Sequence, residues 1–325
     1  MVSSSSSFSS LVLCCVVIFT AVFVTAEAQL IPNFYEKVCP EALPTIKGLV
    51  EKAIEKEPRM GASLLRLHFH DCFVNGCDGS VLLADTANFT GEMTAFPNNN
   101  SIRGFEVIDE IKAAVNSACG NVVSCADILA VAARDSVATL GGPSYKVLLG
   151  RQDSLNASWM DANTNLPAPF LNLTGLLTSF ASKNLNLQDL VVLSAAHTIG
   201  LAQCATFRTR IYNDTNIEPS FQADRQRICP PVFGTGDNTT VALDGTPFSF
   251  DNAFFNNLLA QKGLLHTDQE LFKHDFSAAD FLVRRYSTFP EAFLKDFGDS
   301  MIKMGNLKPP TGAKSEIRMN CTRIN

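Results

Sequence analysis

The 325-residue chain is predicted to be mostly α-helical, with little strand. Three observations carry that expectation. Long segments space their apolar residues three and four positions apart or consist of strong helix formers. Strand-like pieces are few and short, Lys146 to Leu149 being the clearest. Stretches 152–170 and 230–247 are rich in Pro, Gly, Asn and Thr, and read as loops between helices.

Taken in order, the chain opens on a Ser-rich stretch and an apolar run, Leu11 to Val24, broken only by Thr20. The run is short of the about 20 apolar residues that span a bilayer. Ala26-Glu27-Ala28 follows, a small-x-small pattern that signal peptidase cuts after. Residues 1–28 are therefore expected to be a cleaved signal peptide, although the only positive charge ahead of the run is the amino terminus. The domain then occupies 29–325, enough chain for a large core in one unit or two closely packed halves. Segments 41–57, 60–72 and 105–118 have helical character. Ser124-Cys125-Ala126-Asp127 is a capping-box sequence that opens an Ala-rich helix to Leu140, closed by Gly141, Gly142 and Pro143. Helices are also expected at 173–183, 187–196, 250–262 and 289–305.

Cys14 and Cys15 leave with the signal peptide, and eight cysteines remain. An even number in a secreted chain reads as four disulfides, whose pairing spacing alone leaves open. Seven Asn-x-Ser/Thr sequons, at Asn88, Asn99, Asn156, Asn172, Asn213, Asn238 and Asn320, fit the secretory route. No later segment is apolar enough to span a membrane, and no retention signal ends the chain, so a soluble product outside the cell or in its wall is expected. The net charge is −6 with no basic block, which speaks against nucleic acid and anionic membrane as partners.

The chemistry concentrates in Arg66-Leu67-His68-Phe69-His70-Asp71-Cys72. On a helix, Arg66 and His70 lie at i and i+4 on one face. His68 and His70 then stand about 200° apart and cannot serve one site. On a strand the two histidines would share a face and could bind a metal, the basis of a metal-dependent hydrolase reading; that reading lacks a third ligand nearby. An arginine on an apolar helix is costly unless partnered, and pairing with Asp71 or Asp78 would make it purely structural.

Leu65 to Ser80, containing that passage, resembles the distal signature of the plant secretory (class III) haem peroxidases. Leu193-Ser194-Ala195-Ala196-His197-Thr198-Ile199-Gly200 is similar to the proximal haem-ligand signature of the same family. The resemblance runs from Gln29 to Asn325. It includes the eight cysteines, Gly150-Arg151-Gln152-Asp153-Ser154, Asn165-Leu166-Pro167-Ala168-Pro169-Phe170, Phe250-Asp251-Asn252 and Asp268-Gln269-Glu270-Leu271. It implies a haem peroxidase fold, two packed helical halves with haem b between them. It implies a monomer that reduces hydrogen peroxide to water while oxidising phenolic donors in two one-electron steps. A catalytically silent glycoprotein on the same scaffold is the remote alternative, disfavoured by six intact site residues.

Carried over position by position, His197 is implied as the axial ligand to the haem iron, with Asp268 accepting a hydrogen bond from its other nitrogen. His70 is implied as the acid and base acting on the peroxide, and Arg66 as the stabiliser of developing negative charge. Asn98 and Glu92 match the relay that keeps the far nitrogen of His70 protonated. Phe69 matches the residue packed over the haem. Pro167, through its carbonyl, matches a contact to aromatic donors, with Phe96 and Phe170 lining the approach. Two calcium ions are implied: one on Asp71, Asp78 and Ser80 with the carbonyls of Val74 and Gly76, the other on Thr198, Asp244, Thr246 and Asp251 with the carbonyl of Ser249. The family usually has the aspartate three residues before the matching threonine, whereas Asp244 precedes Thr246 by two. The implied disulfides are Cys39–Cys119, Cys72–Cys77, Cys125–Cys321 and Cys204–Cys229, and Asp127 with Arg151 matches a buried ion pair. Tyr145 stands where the family usually has Trp, and the sole Trp is Trp159.

Overall fold

The computed structural model describes residues 29–325; the expected signal peptide lies outside the described residues. The first half of the chain builds α1 (Ala42–Lys56), α2 (Arg59–Phe73), α3 (Phe105–Cys119), α4 (Cys125–Thr139) and the short α5 (Trp159–Asn165). The second builds α6 (Leu173–Ala181), α7 (Leu187–Ser194), α8 (Cys204–Asn213), α9 (Pro219–Ile228), α10 (Ala253–Leu259), α11 (His266–Gln269), α12 (Ala278–Thr288) and α13 (Pro290–Gly305). Helices α1 to α4 pack on one another, α6, α7, α10, α12 and α13 form the other group, and α13 touches α2. One apolar core runs through both groups, and a smaller one lies under α8.

Two small antiparallel ladders complete the fold: β1 (Asp153–Ser154) with β4 (Ser315–Glu316), and β2 (Leu201–Gln203) with β3 (Thr240–Ala242). All four implied disulfides are formed. Cys39–Cys119 ties the approach to α1 to the end of α3, and Cys125–Cys321 holds the C-terminal segment against the start of α4.

Several expectations need correction. Lys146 to Leu149 is no strand; only Leu149 is bridged, to Ile31. Stretch 152–170 is not all loop, because Ser158 accepts from the Asp161 N–H and caps α5. Stretch 230–247 contains β3. Helices α8, α9, α11 and α12 lay outside the expected set. Helix α9 buries none of its residues, so it carries no apolar stripe to read. Helix α12 did carry a signal: Ser277-Ala278-Ala279-Asp280 repeats the start of α4, and Ser277 accepts from the Asp280 N–H. At α4 itself only half of the box forms. Ser124 accepts from the Asp127 N–H, while the Asp127 carboxylate turns away to Arg151 Nη1 at 2.8 Å and to the Tyr35 hydroxyl at 2.7 Å. The 187–196 helix stops at Ser194, and a 3₁₀ turn, Ala195–Thr198, presents His197.

Candidate active site

From Met60 to Phe73 every residue of α2 is buried except Ala62, Ser63, Arg66 and Phe69. These four share one helical stripe that protein covers only in part. Arg66 pairs with neither Asp71 nor Asp78. Its Nε donates to His70 Nε2 at 3.0 Å, Nη1 to the Ser101 carbonyl at 2.9 Å, and Nη2 to the Pro97 carbonyl at 2.9 Å and to Ser101 Oγ at 3.0 Å. Burial, and secondarily the charge of Arg59, brings its pKa down to about 10, so it stays cationic at neutral pH. A fixed positive charge beside an imidazole, held by carbonyls and a hydroxyl, has no counter-charge of its own.

His70 is buried, with Nδ1 2.5 Å from Asn98 Oδ1. The Asn98 amide is oriented by its Nδ2, which donates to the Glu92 carbonyl at 2.8 Å. Oδ1 must therefore accept, which places the His70 proton on Nδ1 and leaves Nε2 as a lone pair. Burial, then the Arg66 charge, holds the imidazole pKa well below the ordinary histidine value, against the opposing pull of Asn98. Glu92 thus enters the relay through its backbone carbonyl. Its carboxylate instead accepts from the Ser158 N–H at 3.3 Å, and its Oε2 is buried without a hydrogen bond. Phe69 meets the His70 ring edge-on at 5.4 Å.

Facing away from this stripe, His68 is buried with its ring nitrogens 3.6 and 3.7 Å from Cys72 Sγ. Burial and Arg151 lower its pKa to about 3. His68 and His70 serve no common site, because α2 is a helix through both.

On the 3₁₀ turn, His197 Nδ1 stands 2.8 Å from Asp268 Oδ1, and Asp268 Oδ2 accepts from the Leu265 N–H at 3.0 Å. Nε2 makes no hydrogen bond among the described residues, while the side chain is 38% exposed. Pro167 is half-buried; Phe96 and Phe170 are 81% and 62% exposed, so neither belongs to the core.

Two clusters of oxygen atoms flank the histidines. Beside His70, Asp71 Oδ1, Ser80 Oγ and Glu92 Oε2 are buried without a hydrogen bond. Burial raises the pKa of Asp71, with Asp78 adding to it, and pushes Asp78 itself to about 6. Beside His197, Thr198 Oγ1 lies 3.0 Å from both Asp244 Oδ2 and Asp251 Oδ1, and the Thr246 hydroxyl donates to Asp244 Oδ1 at 2.9 Å. One hydroxyl proton cannot serve two carboxylates at once. The short spacing before Thr246 therefore does not remove Asp244 from the cluster; a tight turn, with the Thr246 N–H also on Asp244, brings it in.

A sequence model of the family described as Peroxidase matches residues 46–288. Peroxidase 70 of Zea mays is 58% identical over 324 residues, covering 99% of each chain. Peroxidase RIP1 of Medicago truncatula is 58% identical over 327 residues and Peroxidase 4 of Vitis vinifera 53% over 324, each alignment spanning at least 99% of both chains. The chain belongs to the class III plant haem peroxidases. As a peroxidase it uses hydrogen peroxide and a reducing substrate, with haem iron as cofactor. The residues present fit that group: His197 is a pinned imidazole with a free, accessible nitrogen, and α2 leaves a stripe of small, cationic and aromatic side chains only partly covered. Ser101 and the Pro97 carbonyl, which hold Arg66, were missed in the sequence. Nothing local marks them, since they lie 35 and 31 residues from their partner.

Proposed function

We propose that this peroxidase takes haem b on His197, binds two calcium ions, and oxidises phenolic donors as a secreted monomer outside the cell or in its wall. The observation that carries the reading is the chain Arg66–His70–Asn98–Glu92 carbonyl, which leaves one imidazole nitrogen basic beside a fixed cation.

Bound haem supplies the redox centre that accepts electrons from donors and delivers them to peroxide. His70 Nε2 removes a proton from the near oxygen of hydrogen peroxide and returns it to the far oxygen, which leaves as water. The Nδ1 proton stays on the Asn98 bond throughout, so the ring never needs to turn. Arg66 stabilises the negative charge that develops as the O–O bond breaks. Its Nε donates to His70 Nε2 at 3.0 Å, so the entering peroxide has to take over this donor, which frees the Nε2 lone pair to accept the proton. Two phenols then each give up one electron and one proton; the exposed Phe96 and Phe170 and the carbonyl of Pro167 line their approach. Asp268 holds the His197 ring by its far nitrogen and makes it a stronger donor to iron.

For the first ion, Asp71, Asp78 and Ser80 with the carbonyls of Val74 and Gly76 offer hard oxygens; Asp71 Oδ1 and Ser80 Oγ among them, and Glu92 Oε2 beside them, are otherwise unsatisfied. For the second, Thr198, Asp244, Thr246 and Asp251 with the Ser249 carbonyl do the same. Four disulfides support an oxidising, extracellular setting. Among the described residues no helix is long and apolar enough to cross a membrane.

The test is the optical spectrum of the secreted protein before and after one equivalent of hydrogen peroxide, then guaiacol. A Soret band that shifts with peroxide and returns with the phenol is expected. A Soret band indifferent to peroxide would refute the roles given to His70 and Arg66, and folded protein without one would refute haem binding.

A further inference from the structure

Among the seven sequons, one is interleaved with the site. Asn99-Asn100-Ser101 follows directly on Asn98, and its third residue is the one that holds Arg66 through both carbonyl and hydroxyl. Asn98 is fully buried, whereas Asn99 beside it is exposed. The Asn99 backbone N–H donates to the Ala95 carbonyl at 2.8 Å, and its side-chain amide makes no hydrogen bond among the described residues. Asn100 turns the chain with φ of 55°, and its carbonyl accepts from the Gln203 side chain at 3.0 Å. Gln203 lies on β2, which starts just past the turn that carries His197. Four consecutive residues therefore touch His70, solvent, the His197 side of the molecule and Arg66. Three positions earlier, Phe96 is 81% exposed.

We propose that Asn99 carries an N-linked glycan that stands at the rim of the active site and limits the size of the reducing substrate that can approach. This rests on the peroxidase reading above. In the secretory lumen the Asn99 amide nitrogen loses a proton and bonds to the anomeric carbon of a lipid-pyrophosphate-linked oligosaccharide, whose lipid pyrophosphate departs. The fold tolerates the product because the bond forms at a free, solvent-facing nitrogen, and the one backbone contact of Asn99 is untouched. Peroxide and single-ring phenols pass a hydrated sugar easily; a protein-sized donor does not.

Glycopeptide mapping of the secreted holoenzyme is expected to find Asn99 occupied, and an unmodified Asn99 overturns the proposal. The second arm compares wild type, enzymatically deglycosylated wild type and Asn99→Gln, using guaiacol and ferrocytochrome c as donors. Loss of the glycan is expected to raise kcat/KM for ferrocytochrome c several-fold and to leave guaiacol unchanged. Equal changes for both donors, or none, overturn the gating role. The Soret band and its response to peroxide, recorded on the same samples, report separately on the peroxidase reading.

Discussion

The Nδ1 of His197 and the Oδ1 of Asp268, 71 residues apart in sequence, lie 2.8 Å from each other, and the second carboxylate oxygen is tied to the Leu265 N–H. Both oxygens are thus committed, and the imidazole is held in one orientation and one tautomer. Asp268→Asn keeps the shape and removes the charge. The ferric/ferrous midpoint potential is expected to move positive, because a less basic imidazole favours the higher oxidation state less. Activity should fall roughly 10–100-fold, as is usual when such a partner is lost. Spectroelectrochemical titration checks this; an unmoved potential would reduce Asp268 to a purely structural role.

His70→Ala is expected to slow the stopped-flow reaction with peroxide by ~10²–10⁴ with the Soret band retained. A smaller loss would mean that another group moves the proton.

The pH dependence follows from the direction of the His70 shift. Its pKa is held well below the ordinary value by burial and by Arg66, so the basic form persists as pH falls through the usual histidine range. The rate with peroxide should be flat near neutrality and decline only in more acidic solution. In Asn98→Asp an anion replaces the neutral acceptor and favours the charged ring. The acid limb should therefore move to higher pH, and a profile unchanged by this substitution would count against the relay.

If calcium occupies the proposed first site, a chelator would leave Asp71 Oδ1, next to His70 in sequence, and also Ser80 Oγ and Glu92 Oε2 buried and unsatisfied. A lower unfolding temperature and an altered Soret spectrum are expected, both restored by added calcium. Asp244→Ala should weaken one of two binding events in calorimetry and spare the other. Two intact events would remove Asp244 from the ligand set despite its 3.0 Å approach to Thr198.

Asp127 and Arg151 form an ion pair at 2.8 Å with both side chains almost wholly buried. Asp127→Ala strands the arginine, and also frees the Tyr35 hydroxyl. Loss of one partner of such a pair costs about 3–5 kcal/mol, which thermal unfolding will read directly. Replacing both partners with apolar residues of similar volume is expected to recover much of the loss.

By itself the sequence determined what depends on neighbours along the chain. Helix α2 was legible from its apolar spacing, and the i, i+4 offset alone set Arg66 beside His70 and His68 away from both. The cysteine pairing and the His197–Asp268 bond were legible only through family resemblance, since no local rule joins residues so far apart. Tertiary structure alone decided which groups hold Arg66, that Glu92 contributes a carbonyl rather than its carboxylate to the relay, and that Asp244 reaches Thr198 across 46 residues. The reason is physical: periodicity encodes which face of a helix is buried, but a hydrogen bond is satisfied by whichever donor or acceptor the folded path brings within about 3 Å. The same limit hid α9, which buries no residue fully and seats one face only through Phe221 and the Gln222 and Gln226 amides on the Ile211 carbonyl, leaving no apolar stripe to read.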